Sequence, residues 1–298
     1  MAAGHRSARR RTPRSHTPVA QDQPGSTHSH ERFTMTIDTR FQNALNILEA
    51  GAGMARSWFD DAHFRVERKD DGTPVTEADR SVERHLRDEL SRHFPEDGLL
   101  GEEFAEVEGT SGGRWIMDPI DGTKSFIHGV PLYSTLLAYE SAQGLEFGAI
   151  ALPSLGRLIY AQSGRGCFDG QGRQLTTSDR REVHDAYVLS TWLEDWPLEL
   201  INRLQDQDGV IRTWGDGFGY ALVAAGQADA MLDFTVSPFD VAPMPVIMRE
   251  AGGVFTDFDG VESIHSGVGV AAATPELRDA VLREIAQTTS SPTSTLVE

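Results

Sequence analysis

The sequence predicts a layered α/β fold, with an N-terminal α+β half to about residue 150 and an α/β half after it. Three observations carry this prediction. Apolar residues recur every three to four positions immediately after Asp38. From Gly113 the texture changes to short β-rich runs separated by glycine-rich turns. Beyond about residue 180, short runs of both kinds alternate. A chain of 298 residues has room for one large or two fused domains, and 39% hydrophobic residues supply a sizeable core.

Phe41, Leu45, Leu48 and Ala52 trace a first amphipathic helix to about Phe59. A second follows Thr76, because Thr76-Glu77-Ala78-Asp79 has the form of a capping box and Val82, Leu86 and Leu90 line one face. Strands are predicted at 114–117, 133–139, 147–152 and 158–162. The glycine-rich stretch 164–172 reads as turns, since no helix follows it as a nucleotide-binding loop would require. Strands at 187–191, 210–214 and 229–234 alternate with helices at 198–205 and 218–226. A helix after Asp240, strands at 254–258 and 268–272, and a last helix entered through Thr274-Pro275-Glu276 complete the order. The working division is an extension at 1–34, halves at 35–150 and 151–288, and a flexible tail at 289–298.

Residues 1–34 are expected to be disordered: they are rich in Arg, Ser, Thr and Pro and show no apolar period. They lack both the apolar core of a secretory signal and the amphipathic pattern of a transit peptide. The preferred reading is an extension with no folded role, and the rival is a basic arm for a nucleic-acid partner. Six Arg in this stretch face only Asp22 and Glu31, so the remaining 264 residues carry 21 basic and 43 acidic groups, a net −22 against −18 for the whole chain. So acidic a body repels nucleic acid and anionic membrane surfaces. No run approaches the ~18 apolar residues of a membrane span. The single Cys167 excludes an intramolecular disulfide framework and a Cys-rich zinc site, and favours a reducing compartment such as the cytoplasm. The acids serve either solubility or the holding of cations, and composition alone does not choose.

The segment Trp115-Ile-Met-Asp118-Pro-Ile-Asp121-Gly-Thr123-Lys-Ser-Phe126 is the most unusual in the chain. An apolar strand ends at Asp118, Pro119 fixes φ, and a second acid follows three residues on. Two carboxylates about 4 Å apart repel by ~4 kcal/mol at an effective dielectric near 20, so such a turn asks for a cation or a retained proton. Hard oxygen ligands suit Mg²⁺, with phosphate completing its shell, and the N–H groups of Gly122, Thr123 and Lys124 would face the same point. Asp-Pro and Asp-Gly are also ordinary turn signals. Gly101-Glu102-Glu103 after a short apolar run reads as acids at a strand end or as surface. Asp240 is either part of the cluster or a simple N-terminal helix acid.

Together these segments resemble the inositol monophosphatase-like family of Mg²⁺-dependent, lithium-sensitive phosphatases. The resemblance runs from about residue 40 to 286. It includes, in family order, Val75-Thr-Glu-Ala-Asp79, Gly101-Glu-Glu103, the Asp118-Pro-Ile-Asp-Gly-Thr123 core, Gly164-Arg-Gly-Cys-Phe168, Asp240-Val-Ala242 and Glu250-Ala-Gly-Gly253. It implies a five-layer αβαβα sugar-phosphatase fold and two or three Mg²⁺ ions held by Glu102, Asp118, the Ile120 carbonyl, Asp121 and Asp240. Thr123, hydrogen-bonded to Asp79, and Glu102 would orient the attacking water, and the amides of Gly122 and Thr123, with Lys124, would hold the phosphoryl group. A small phosphate ester is the implied substrate and a homodimer the implied assembly.

Within the family, Arg212-Thr-Trp-Gly-Asp216-Gly-Phe-Gly-Tyr220 looks like the histidinol-phosphate phosphatase branch. Inositol-1-phosphate and bisphosphate nucleotides are the alternative substrates, and a metal-binding interaction protein is the non-enzymatic one. Carboxylates at Asp216 and Asp233 could pair with the substrate's ammonium or imidazolium, or accept hydroxyls from a polyol. Asp216 also reads as a helix cap, while Trp214, Phe218 and Tyr220 read as core before ligand stack, and Lys124 reaches phosphate or solvent. Phe239 stands where the family commonly has Trp, and Asp233 where it often has Glu. Pro243 and Pro245 predict a kinked helix beside Asp240.

Overall fold

The structure, a computed structural model, describes residues 37–289 except 70, 71 and 73. The expectations for 1–34 and for the tail beyond Thr289 lie outside the described residues. Helix α1 (Thr39–Asp61) buries Phe41, Leu45, Leu48, Ala52 and Ala55, as its spacing predicts. A short antiparallel hairpin, β1 (Val66–Arg68) and β2 (Pro74–Thr76), then leads into α2 (Glu77–His93). The periodicity gave no sign of this hairpin, because three-residue strands carry too little alternation to register. Thr76 caps α2 as expected, accepting from the N–H groups of Ala78 and Asp79, and Asp79 returns the bond to Thr76 N–H.

The first sheet has six strands in the order β3 (Gly98–Gly101), β4 (Arg114–Asp121), β5 (Ser134–Ser141), β6 (Gly144–Leu152), β7 (Arg157–Gln162) and β8 (Gly166–Asp169). Only β3–β4 is parallel. The boundary expected at 150 falls inside β6. Strand β8 lies inside the glycine-rich stretch read as turns alone, a correction explained by its length of four residues pairing with β7. Between β4 and β5 sits the five-residue helix α3 (Thr123–Ile127).

Period-two alternation gives the sheet two apolar faces. Trp115, Met117, Leu137 and Phe147 pack under α1 and α2, while Ile116, Leu136, Ala138 and Ile150 face the second half of the chain. That half supplies β9 (Tyr187–Leu189), α4 (Leu198–Asp206), β10 (Val210–Arg212), α5 (Asp216–Ala224), β11 (Ala230–Asp233), α6 (Pro238–Val241), α7 (Met244–Glu250), β12 (Val254–Thr256), β13 (Gly269–Ala272) and α8 (Pro275–Thr289). Its five strands run β10-β9-β11-β13-β12. Helices α5 and α7 lie between the two sheets, with Tyr220, Val223 and Ile247 in the shared core. On the far side, α4 and α8 cover Val188, Leu232 and Val270 with Leu200, Leu204, Leu277 and Val281. The order of layers is therefore helix, sheet, helix, sheet, helix, as the family resemblance implies.

The chain around the prolines differs from the kinked helix expected. Two short helices, α6 and α7, replace it, with Ala242 and Pro243 between them. Pro243 and Pro245 each lack an N–H, so two ladder bonds cannot form there and the helix divides. Asp240 consequently sits within the first short helix and not ahead of a helix.

Candidate active site

Strand β4 breaks register with β5 between Asp118 and Asp121, at the Pro119 position where a ladder donor is missing. Ile120 N–H donates to Asp118 Oδ1 at 3.0 Å, and Thr135 Oγ1 donates to the Pro119 carbonyl at 2.9 Å, so the turn is fixed on both sides. Both acids line the same cavity. Asp121 Oδ2 accepts from Gly217 N–H at 2.6 Å and from the Ser134 hydroxyl. A Cβ on Gly217 would lie 2.3 Å from Ser134 Oγ and 2.8 Å from Asp121 Oδ2, so only glycine allows this approach of α5 to β4.

Asp240 arrives from the other half of the molecule, its Oδ2 accepting from Ser237 N–H at 2.7 Å. Ser237-Pro-Phe-Asp240 has the serine-x-x-acid form of a helix start, a signal in the sequence that went unread. Carboxylate oxygens of Asp118, Asp121 and Asp240 all lie within 4.8 Å of one another. Asp118 is 2% exposed and Asp121 7%. Burial, then repulsion from Glu102, pushes Asp118 far above the usual carboxylate range; burial and Asp216 do the same to Asp121. Burial lifts Asp240 to about 6. Among the described residues no Lys or Arg forms a salt bridge with any of the three. A desolvated, mutually repelling set of hard oxygens fits a divalent cation such as Mg²⁺.

Glu102 is not part of that close trio. It follows β3 and takes an ion pair from Lys69 Nζ at 2.7 Å, which Lys69 shares with Glu103 at 2.7 Å. Burial raises Glu102 to about 7 although Lys69 opposes the shift. A Cβ on Gly101 would meet Glu83 Oε1 at 2.2 Å, so glycine ahead of the two glutamates is a packing requirement. Lys69 belongs to the hairpin the sequence did not reveal, and no local signal marked it.

Thr123 Oγ1 lies 3.1 Å from the Ile120 carbonyl and 3.4 Å from Asp79 Oδ1, the contact expected with Asp79. Burial moves Asp79 up to about 6 against its bonds from Thr76. With its one proton directed at these oxygens, the Thr123 hydroxyl is left to accept from any further partner. Gly122 precedes α3 with φ of 84°, and the first-turn N–H groups that follow have no intrahelical carbonyl. The cavity above these residues measures about 490 Å³ and includes Lys69, Lys124, Trp192, Asp216, Tyr220 and Asp233.

Asp216 is the first residue of α5 and not its cap, which is Gly215. It holds φ of 53°, an unfavourable conformation for a residue with a Cβ. Burial raises it to about 7, with Asp233 and Asp240 adding to the shift. Asp233 lines the same cavity, but Thr191 N–H donates to one of its oxygens at 3.1 Å and Tyr220 Oη to the other at 2.9 Å. Tyr220 is buried, as expected of core, whereas Trp214 is 39% exposed and stacks on Tyr187. Its strand ends at Arg212, two residues short of the prediction, which releases Trp214 to the surface. Lys124 is exposed; its Nζ lies 3.7 Å from the ring centre of Trp192, and its charge partly opposes the upward shift of Asp216.

Residues 36–290 match the model of the inositol monophosphatase family. A histidinol-phosphatase of Chlorobaculum parvum is 41% identical over 243 residues, covering 80% of this chain and 93% of its own length. The fructose-1,6-bisphosphatase/inositol-1-monophosphatase of Thermotoga maritima is 33% identical, covering 63% of this chain and 73% of its own. Among solved structures, a Thermotoga maritima IMPase superposes with a TM-score of 0.78 at 28% identity, over 85% of this chain and 98% of that one.

Proposed function

We propose, on the premise that this chain belongs to the inositol monophosphatase family and is a phosphoric monoester hydrolase, that it hydrolyses L-histidinol phosphate to L-histidinol and phosphate. The observation that carries the choice of alcohol is Asp216: a carboxylate in the cavity wall that, among the described residues, receives no hydrogen bond or ion pair. A cationic alcohol would answer it, as the histidinol-phosphatase relative also suggests. Asp233, with both oxygens already engaged, is better suited to holding Thr191 and Tyr220 than to binding substrate.

Asp118, Asp121 and Asp240, with Glu102 and the Ile120 carbonyl, would hold Mg²⁺. When bound, such ions lower the pKa of water and neutralise charge on the reacting oxygens. The remaining work falls to the chain itself. Thr123, kept in orientation by Ile120 and Asp79, accepts a hydrogen bond from the attacking water, and Glu102 takes another. The amides of Gly122 and Thr123 seat the phosphoryl group, with Lys124 adding positive charge. Asp216, whose carboxylate lies beside Gly122, orients the alcohol as it leaves the phosphoryl group. A cytoplasmic homodimer completes the reading; no described helix is long and apolar enough to cross a membrane.

The deciding measurement compares kcat/KM for histidinol phosphate, inositol-1-phosphate and adenosine 3′,5′-bisphosphate with Mg²⁺. Histidinol phosphate should lead. A clear preference for either of the others assigns the enzyme to that substrate instead, and no phosphate release from any ester would leave a metal-binding protein.

A further inference from the structure

Three aromatic side chains line the cavity, Trp192, Tyr220 and Phe239; Tyr220 is bonded to Asp233, and among the described residues Trp192 is the one of the three that holds a cation over its ring. We infer that this ring, together with Asp216, is the recognition site for the positively charged end of the leaving alcohol. The inference rests on the reading of the substrate as a cationic phosphate ester and names the residue that selects it.

Lys124 shows what the ring accepts. Its ammonium lies 3.7 Å from the ring centroid, well within the distance at which the negative face of an indole attracts a cation. The ring and the carboxylate are also carried by one hydrogen-bonded unit. Thr191 Oγ1 accepts from Asp216 N–H at 2.9 Å, and Thr191 N–H donates to Asp233 at 3.1 Å. Ser190 Oγ donates to the Trp192 carbonyl at 2.6 Å. The backbone of Trp192 is therefore tied to that of Asp216 through Thr191, and both side chains line the same cavity.

Position in the cavity assigns the end of the substrate that this pair meets. Gly217, next to Asp216, donates to Asp121 in the acidic cluster, and the Asp216 carboxylate lies against Gly122 at the entrance to α3. A phosphoryl group seated at Gly122 and Thr123 would have Asp216 beside it and the Trp192 ring in the wall of the same cavity. A polyol has hydroxyls for a carboxylate but nothing for an indole face, whereas an ammonium or imidazolium uses both. Lys124 and the substrate cation then compete for one ring, and the flexible stem of Lys124 lets its ammonium turn toward the phosphoryl group when the ring is taken.

The test uses the full chain with Mg²⁺ and two smaller apolar replacements, Trp192→Phe and Trp192→Leu. Both fill the wall with apolar bulk, and only the first keeps a π face. For each, kcat/KM is measured on histidinol phosphate and on inositol-1-phosphate. In Trp192→Leu the ratio of the two should fall about 3- to 30-fold, mostly through KM, while Trp192→Phe keeps the larger part of it. Equal losses on both esters, which would mean that Trp192 acts on the phosphoryl end through Lys124, overturn the inference, as does an unchanged ratio in Trp192→Leu. A wild-type preference for inositol-1-phosphate sinks the histidinol reading separately; the ratio in the variants still decides the role of the ring.

Discussion

Two groups of acids shielded from solvent differ in what surrounds them. Glu83, on α2, is fully buried, yet its carboxylate accepts from Arg87 Nε at 2.7 Å and from the N–H groups of Glu103 and Phe104 at 2.6 and 3.3 Å. Asp118 and Asp121 are buried and Asp240 is half-buried, and the three face one another with no salt bridge to a basic side chain among the described residues. Burial alone therefore does not mark a functional carboxylate. What marks it is a charge that the protein has desolvated and left without an opposite charge. Glu83 holds the Glu102–Glu103 segment in place, and the trio waits on an ion from outside.

Exchanging the partners of these two groups separates them experimentally. Asp121→Asn should lower Mg²⁺-dependent turnover by about 10³-fold or more, since the ion's stabilisation is worth several kcal/mol. The metal-free variant should unfold at or above the wild-type temperature, because one repulsive charge is gone. Retained turnover would remove Asp121 from the site. Glu83→Gln should do the reverse, costing about 3–5 kcal/mol of stability in urea denaturation by leaving Arg87 buried without its counter-charge. Turnover per folded molecule should be largely kept.

The pH dependence sharpens the contrast further. Asp79 and Asp240 are lifted to about 6, and Glu102 and Asp216 to about 7. Groups with raised folded pKa bind more protons folded than unfolded between about pH 4 and 7, so the metal-free protein should lose stability as pH rises through that window. Mg²⁺ requires the ionised acids, so the rise in Tm it produces should be larger at pH 8 than at pH 5. A metal-free Tm that climbs from pH 5 to 8 would contradict the raised proton affinity of these acids. The smallest effect belongs to the cap: Thr76→Ala should cost about 1 kcal/mol and lower turnover slightly through Asp79.

The long elements were legible because their periodicity is strong. Phe41 to Ala52 and Val82 to Leu90 repeat over several turns, and the Asp118–Thr123 segment is distinctive enough to name its chemistry. The β1–β2 hairpin and β8 were not, since strands of three or four residues are defined by their partners and not by their own pattern. The same distinction runs through the site. The acids could be read from motifs, but Lys69, Trp192 and the Gly217–Asp121 bond arise from residues far apart in sequence that only the fold unites. Asp233 shows the limit from the other side: its place in the cavity was legible, and its engagement by Thr191 and Tyr220 was not.

The acidic trio draws two members from β4 and one from α6, about 120 residues later in the chain. During synthesis the strand bearing Asp118 and Asp121 leaves the ribosome well before Asp240 and the Gly217 amide that fastens Asp121. A nascent chain stopped short of α6 is thus a half-built pocket with two of its three acids. Competence to gather a divalent ion arrives late, when the two sheets close on the helices between them, so the finished enzyme cannot begin its work on an unfinished fold.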